Sequence, residues 1–133
     1  MSKKKKGCYE NWNRLNEFQG CEIRDFVNSK NEDYPEIHFS NGKIAKIYEE
    51  GSYSDYWKSS FSWNKNNHNV ISRVIVDENQ KKQIITIYFL DSNGKTILKC
   101  QHDFYNESDW DYGCYISYFW EDKGTEVAQY FYI

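Results

Sequence analysis

The sequence predicts a mainly β domain. It reads as an antiparallel up-and-down meander of about eight strands forming a barrel, half-barrel or sandwich, with one short N-terminal helix. Three observations point there. Apolar residues alternate with polar ones over short runs from Cys21 onward. Turn-forming stretches such as "SNG", "DSNGK" and "EDKG" separate those runs. The chain is also 19% aromatic, and each ring can bury on the order of 150–250 Å², so 133 residues are enough for one continuous core.

Residues 1–7 contain four consecutive lysines, Lys3 to Lys6, and read as a basic disordered tail. Residues 8–133 then form a single domain with no internal repeat or linker. In "YENWNRLNEFQG", Tyr9, Trp12, Leu15 and Phe18 recur every third residue before Gly20, which predicts a short helix or 3₁₀ turn laid over the sheet. "CEIRDFVN" alternates, with Cys21, Ile23 and Val27 assigned to one side. "PEIHF", "SNG" and "KIAKIYEE" make a hairpin, because Asn-Gly adopts positive φ cheaply. The single proline, Pro35, stands at a strand start, where a missing N–H does least harm.

Three further strands come from the segment beginning "NVISRVIV" and ending "KCQHDF", split by "DENQKK" and "DSNGK". Tyr112–Trp120 and Thr125–Ile133 supply the last pair. "SSFSW" is a candidate ninth strand.

Charge narrows the class of partner. Four of the 17 Lys and Arg lie in the N-terminal run, so 13 oppose 20 Asp and Glu, and the body carries −7. Nucleic-acid binding rests on cation-rich faces, so no nucleic-acid partner is expected; a basic protein is. No apolar run reaches the roughly 18 residues of a membrane span, and "GCYENWNRLNEF" is too polar for a signal-peptide core. No membrane partner is expected, and the location expected is cytoplasmic. Cys8, Cys21, Cys100 and Cys114 show no paired spacing and read as reduced, buried thiols.

The closing stretch from Asp103 to Ile133 carries eleven aromatic and seven acidic residues against one lysine. Alternation puts Tyr112, Cys114, Ile116, Tyr118 and Trp120 on one face, and Gly113, Tyr115, Ser117 and Phe119 on the other. A half-buried strand needs only one apolar face, so the second set of rings needs a cover. That cover is the Tyr53–Trp63 stretch, the N-terminal helix, a homodimer partner or a different protein. Aromatic residues concentrate at the centres of interfaces, and acidic ones steer basic partners toward them. The candidate partner-binding residues are therefore Asp109, Trp110, Asp111, Tyr112, Glu121 and Asp122. Glu49, Glu50, Asp55 and Trp57, from the similarly mixed "EEGSYSDYWKSSFSW", form a second cluster.

Catalytic signatures are absent: no glycine-rich phosphate loop, GxSxG, HExxH or zinc-ribbon spacing occurs. Cys100, His102 and Cys114 could approach one another, but no fourth zinc ligand is evident. "DWDYG" lacks the remaining ligands of a calcium loop. No cofactor is expected. The reading is a non-catalytic protein-binding module, most concretely an immunity or antitoxin-type inhibitor capping a basic, nuclease-like toxin. A small-molecule carrier with an aromatic-lined barrel cavity is the alternative.

Overall fold

The structure is a computed structural model. It describes residues 8–10, 12–28, 34–51, 55–65, 70–79, 81–106, 114–120 and 126–131, with side chains for 12–28, 34–51, 56–65, 70–79, 81–105 and 114–120. The lysine run lies outside the described residues. The described strands are β1 (Cys8–Glu10), β2 (Ile23–Val27), β3 (Glu36–Phe39), β4 (Ile44–Glu50) and β5 (Asp55–Trp63), then β6 (Arg73–Asn79), β7 (Ile84–Leu90), β8 (Thr96–Asn106), β9 (Tyr115–Trp120) and β10 (Glu126–Phe131).

These strands form two antiparallel sheets, one ordered β1-β10-β9-β4-β3-β2 and the other β5-β8-β7-β6. Consecutive strands pair as the expected hairpins β2–β3–β4, β6–β7–β8 and β9–β10. Pairings between distant strands, β1–β10, β4–β9 and β5–β8, complete the sheets. Neither sheet closes on itself. Ile37, Ile47 and Trp120 of the larger sheet share one buried cluster with Ile85, Ile87, Phe89 and Leu98 of the smaller, so the mainly β class takes the form of a sandwich. "SSFSW" does contribute a strand, as part of β5.

The three-residue period near the N-terminus has a direct structural counterpart. Trp12–Phe18 is a 3₁₀ helix, in which every third residue eclipses the last. Trp12, Leu15 and Phe18 are all buried. Phe18 stacks on Phe39 at 3.7 Å and meets Trp120 edge-on at 4.7 Å, while Trp12 meets Tyr118 edge-on at 5.6 Å. On the same helix, Glu17 accepts hydrogen bonds from Lys43 Nζ at 2.7 Å and Trp120 Nε1 at 2.9 Å. The Lys43 bond chiefly holds its carboxyl below the usual range, against partial burial. After the helix, Gly20 N donates to Ile71 O and Ile71 N donates to Cys21 O, both at 2.8 Å. This ties the approach to β2 to the approach to β6.

Two hairpins share one turn design. At residues 39–43, Gly42 N donates to Phe39 O, and Phe39 N to Lys43 O. At 91–95 the same two bonds join Gly94, Asp91 and Lys95. The positive φ falls on the glycine alone, +87° at Gly42 and +79° at Gly94, a three-residue loop ending in a left-handed residue. Asn41 is not among the positive-φ residues; its side chain instead accepts from Lys43 N at 3.0 Å.

The parity expected for β2 changes midway. A register shift between Ile23 and Asp25 inserts one residue, as a bulge does. Phe26 consequently packs inward against Phe61 at 5.0 Å, while Val27, assigned by alternation to the Ile23 face, is 37% exposed. For β9 the alternation holds: Cys114, Ile116, Tyr118 and Trp120 are buried. The opposite rings, Tyr115 and Phe119, are partly buried and meet other rings of the chain. Tyr34 lies edge-on to Phe119 at 6.1 Å and to Tyr48 at 5.3 Å, and Tyr48 contacts Tyr115 at 5.9 Å. Among the described residues, the 3₁₀ helix packs on the core side and β5 belongs to the other sheet.

The eclipsed helix face predicts a sharp contrast between neighbours. Leu15→Ala should lower unfolding free energy by about 2–5 kcal/mol, whereas the exposed Arg14→Ala should change it by less than about 0.5 kcal/mol, measured by chemical denaturation.

Candidate functional site

Alternation turns Ala45, Ile47 and Glu49 of β4 toward the core, and Tyr48 and Glu50 away from it. Leu98, Cys100, His102 and Phe104 are buried at every second position of β8. Ser59 and His102 are direct cross-strand partners in the β5–β8 ladder, so their side chains stand on the same face within reach of each other. Tyr118 of β9 pairs with Ile47, one pleat from Glu49. Four polar side chains thus converge from both sheets.

They form one hydrogen-bonded line. His102, fully buried, sets Nε2 at 2.6 Å from the Tyr118 hydroxyl and Nδ1 at 2.5 Å from Ser59 Oγ. Ser59 in turn donates to Glu49 Oε1, which lies 3.4 Å from His102 Nδ1. One proton assignment satisfies every group: Tyr118 donates to Nε2, Nδ1–H donates to Ser59, and Ser59 donates to the carboxylate. Burial pushes the Glu49 carboxyl up, but the hydrogen bond from Ser59 and the nearby His102 Nδ1–H outweigh it, so the group ionises more readily than an ordinary glutamate. At the inner end, burial raises the Cys100 thiol to about 12, partly offset by its hydrogen bond with Tyr118. Burial likewise lifts the Tyr118 phenol well above its ordinary value, so both stay neutral.

The outer end opens on a surface cleft of about 340 Å³. Glu49 and Ser59 line it, with Tyr34, Tyr48, Phe61, Ile47, Asn28 and Pro35. Tyr34 is 43% exposed. Tyr48 donates to the Glu50 carboxylate, and that bond, helped by some burial, pushes its phenol up to about 12. A second hollow of about 310 Å³ is lined by Glu36, Gly42, Lys43, Ile44, Lys46, Phe119 and Trp120, so its charge is mixed.

The structure places the sequence-predicted residues unevenly. Glu49 and Glu50 end β4, Glu49 toward the cleft floor and Glu50 on the outer face beside Tyr48. Trp57 is buried against Phe104 at 4.7 Å and donates Nε1 to Glu50 O at 3.2 Å, so it props the end of β4 from inside. Asp55 begins β5, with its side chain outside the described residues. Asp109, Trp110, Asp111, Tyr112, Glu121 and Asp122 also lie outside them.

The described strand ends nevertheless locate where those segments start. β8 ends at Asn106 opposite Asp55, and β9 begins with Tyr115 opposite Glu50. The described strand ends on either side of the 107–113 segment therefore pair with Asp55 and Glu50. The 121–125 connection leaves β9 after Trp120, opposite Ala45, about 17 Å from Tyr115 at strand rise.

A serine, an imidazole and a carboxylate in contact invite comparison with a nucleophilic triad, but the order differs. In a triad the acid orients the ring from the nitrogen opposite the nucleophile. Here Glu49 and Ser59 both face Nδ1, and Nε2 faces Tyr118. What the line does chemically is anchor an ionised carboxylate at the cleft floor. Both His102 nitrogens are occupied, and among the described residues no group of three or more His, Cys, Asp or Glu is arranged to hold a metal. Sequence reasoning missed Ser59 and Tyr34. It did bring His102 together with Cys100 and Cys114, but pairing Ser59 with His102 requires the β5–β8 register.

If the line stabilises the ionised carboxylate, its contribution is present above pH 4.5 and is lost as pH falls through the lower folded value. Glu49→Gln should lower unfolding free energy at pH 7 by about 1–3 kcal/mol. The gap from wild type should shrink steadily below pH 4.5, as read from denaturation curves across pH.

Among the described residues no helix is long and apolar enough to cross a membrane. Compared with known proteins, the chain matches no family model, no curated protein and no solved structure.

Proposed function

We propose that this protein is a non-catalytic protein-binding module, most concretely an immunity or antitoxin-type inhibitor that caps a basic, nuclease-like toxin. One observation carries the reading: an ionised carboxylate anchored on the floor of a tyrosine-rimmed surface cleft, on a body bearing −7. A nuclease is cationic where it holds phosphates, so an acidic cap complements its active site, and rings beside the charge supply the contact area that keeps the complex together.

The proposed surface centres on Glu49 and Glu50 and takes in Asp55, Asp109, Trp110, Asp111 and Tyr112. The pairing of the strand ends on either side of 107–113 with Asp55 and Glu50 supports this grouping. Glu121 and Asp122 belong to a connection rooted at the far end of β9 and would form a separate rim. Trp57 acts by holding β4 in place. A carrier would need an enclosed ligand cavity, but side chains such as Ile47, Ile85, Phe89, Tyr118 and Trp120 occupy the space between the sheets. That packing favours a surface role. The location proposed is cytoplasmic.

Affinity purification from the native host at low salt should retain a basic protein that is released as salt rises, with nuclease activity that added chain inhibits. Reversing charge with Glu50→Lys, Asp109→Lys and Asp111→Lys should slow association at least tenfold while circular dichroism stays unchanged. Recovery of the bare chain alone, or an inhibitory complex indifferent to these reversals, contradicts the proposal.

A further inference from the structure

We infer that the cleft walled by Tyr34, Tyr48 and Phe61 is a socket for one arginine side chain of the basic partner, with Glu49 as its counter-ion. The inference rests on the protein-binding reading above and gives it a chemical anchor point. At about 340 Å³ the cleft is at the small end of the roughly 300–1,000 Å³ range of ligand pockets, a size suited to one side chain rather than a folded segment.

Among the described residues its lining contains no lysine or arginine, unlike the second hollow with Lys43 and Lys46. The carboxylate is half-spent: Oε1 accepts from Ser59 and lies 3.4 Å from His102 Nδ1, and among the described residues Oε2 meets no hydrogen-bond donor. Oε2 therefore remains an acceptor for an incoming cation, which can make a charge-assisted hydrogen bond to it. The Tyr48 hydroxyl does not compete for this carboxylate, because it donates to Glu50.

The walls select the type of cation. Tyr34 and Tyr48 stand nearly perpendicular, at 87°, with centroids 5.3 Å apart, and Phe61 closes the β5 side. Ring faces attract cations. A guanidinium is planar, stacks on rings and is more weakly hydrated than an ammonium, so it loses less on entering an aromatic cleft. Asn28 also lines the cleft, and its side chain carries a carbonyl that can accept a further N–H. Because His102 and Ser59 fix the carboxylate before any ligand arrives, the socket is pre-organised, which reduces the ordering cost of binding.

The test titrates the intact, isotope-labelled chain with N-acetyl-arginine amide and follows backbone amide resonances. Saturable shifts should cluster at residues 28, 34, 47–49, 59 and 61. The citrulline analogue, equal in shape but uncharged, should bind at least tenfold more weakly, and N-acetyl-lysine amide should also bind more weakly than the arginine probe. Glu49→Gln, checked for a native spectrum, should lose at least tenfold in affinity. Phe61→Leu, which keeps the wall apolar but removes the ring, should lose several-fold.

Absence of saturable shifts at these residues, or equal binding of citrulline, overturns the socket without recourse to any variant. Equal or tighter lysine binding overturns the arginine assignment. A cleft indifferent to arginine in a chain that still inhibits a captured basic nuclease overturns the socket and leaves the protein-binding reading standing. A cleft that takes the probe in a chain that captures no basic protein supports the socket and sinks that reading.

Discussion

An imidazole on the inner face of β8 has no water to turn to, so both its nitrogens need partners inside the protein. His102 meets that demand by drawing on both sheets at once, through Tyr118 from β9 and Ser59 from the neighbouring β5. The arrangement is directional. With Tyr118 neutral, it has a proton to give, and each group in the line can pass its donor outward until the last one reaches Glu49. The carboxylate at the cleft is therefore an extension of the core, and its position is set by strand register rather than by a loop.

The rest of the fold secures that register. The 3₁₀ helix plugs one side of the sandwich with Trp12, Leu15 and Phe18, and Glu17 ties it both to the Trp120 indole and to the β3–β4 turn through Lys43. On the opposite side, Phe26 and Phe61 bring β2 against β5. Trp57 supports the end of β4 by donating to the Glu50 carbonyl. Fully burying side chains of this size contributes about 1.5–3 kcal/mol each, more than a typical hydrogen bond's net 0.5–1.5 kcal/mol. Apolar packing thus carries stability, while the polar line fixes which groups meet at the surface.

How much of this could be read from residues alone depends on the range of the interaction. The helix was legible because its signal is local: a three-residue period ending near a glycine. So were the two Asn-Gly turns and the inner face of β9. The β2 bulge was not, because nothing in "CEIRDFVN" marks where a residue will be inserted, and a single insertion reverses the parity of Phe26 and Val27. Nor was the partnering of sheets, since β4 finds β9 and β5 finds β8 across long stretches of chain. For the site, the acidic and aromatic character around Glu49 and Glu50 was visible in composition. Trp57 read as surface because rings in a charged stretch look alike whether they face in or out. The Ser59–His102 pairing was invisible for the same reason as the sheet order: it exists only once the register does.

The functional account asks the molecule to hold a charge ready beside aromatic walls before a partner arrives. Carboxyl carbon NMR of Glu49 across pH tests that requirement without needing any partner. The account predicts a titration midpoint below the ordinary glutamate value of 4.5, moving upward when Ser59→Ala removes one of the donors. A wild-type midpoint at or above the ordinary value would mean that burial dominates and the floor of the cleft is not held charged, which would contradict the account at its base.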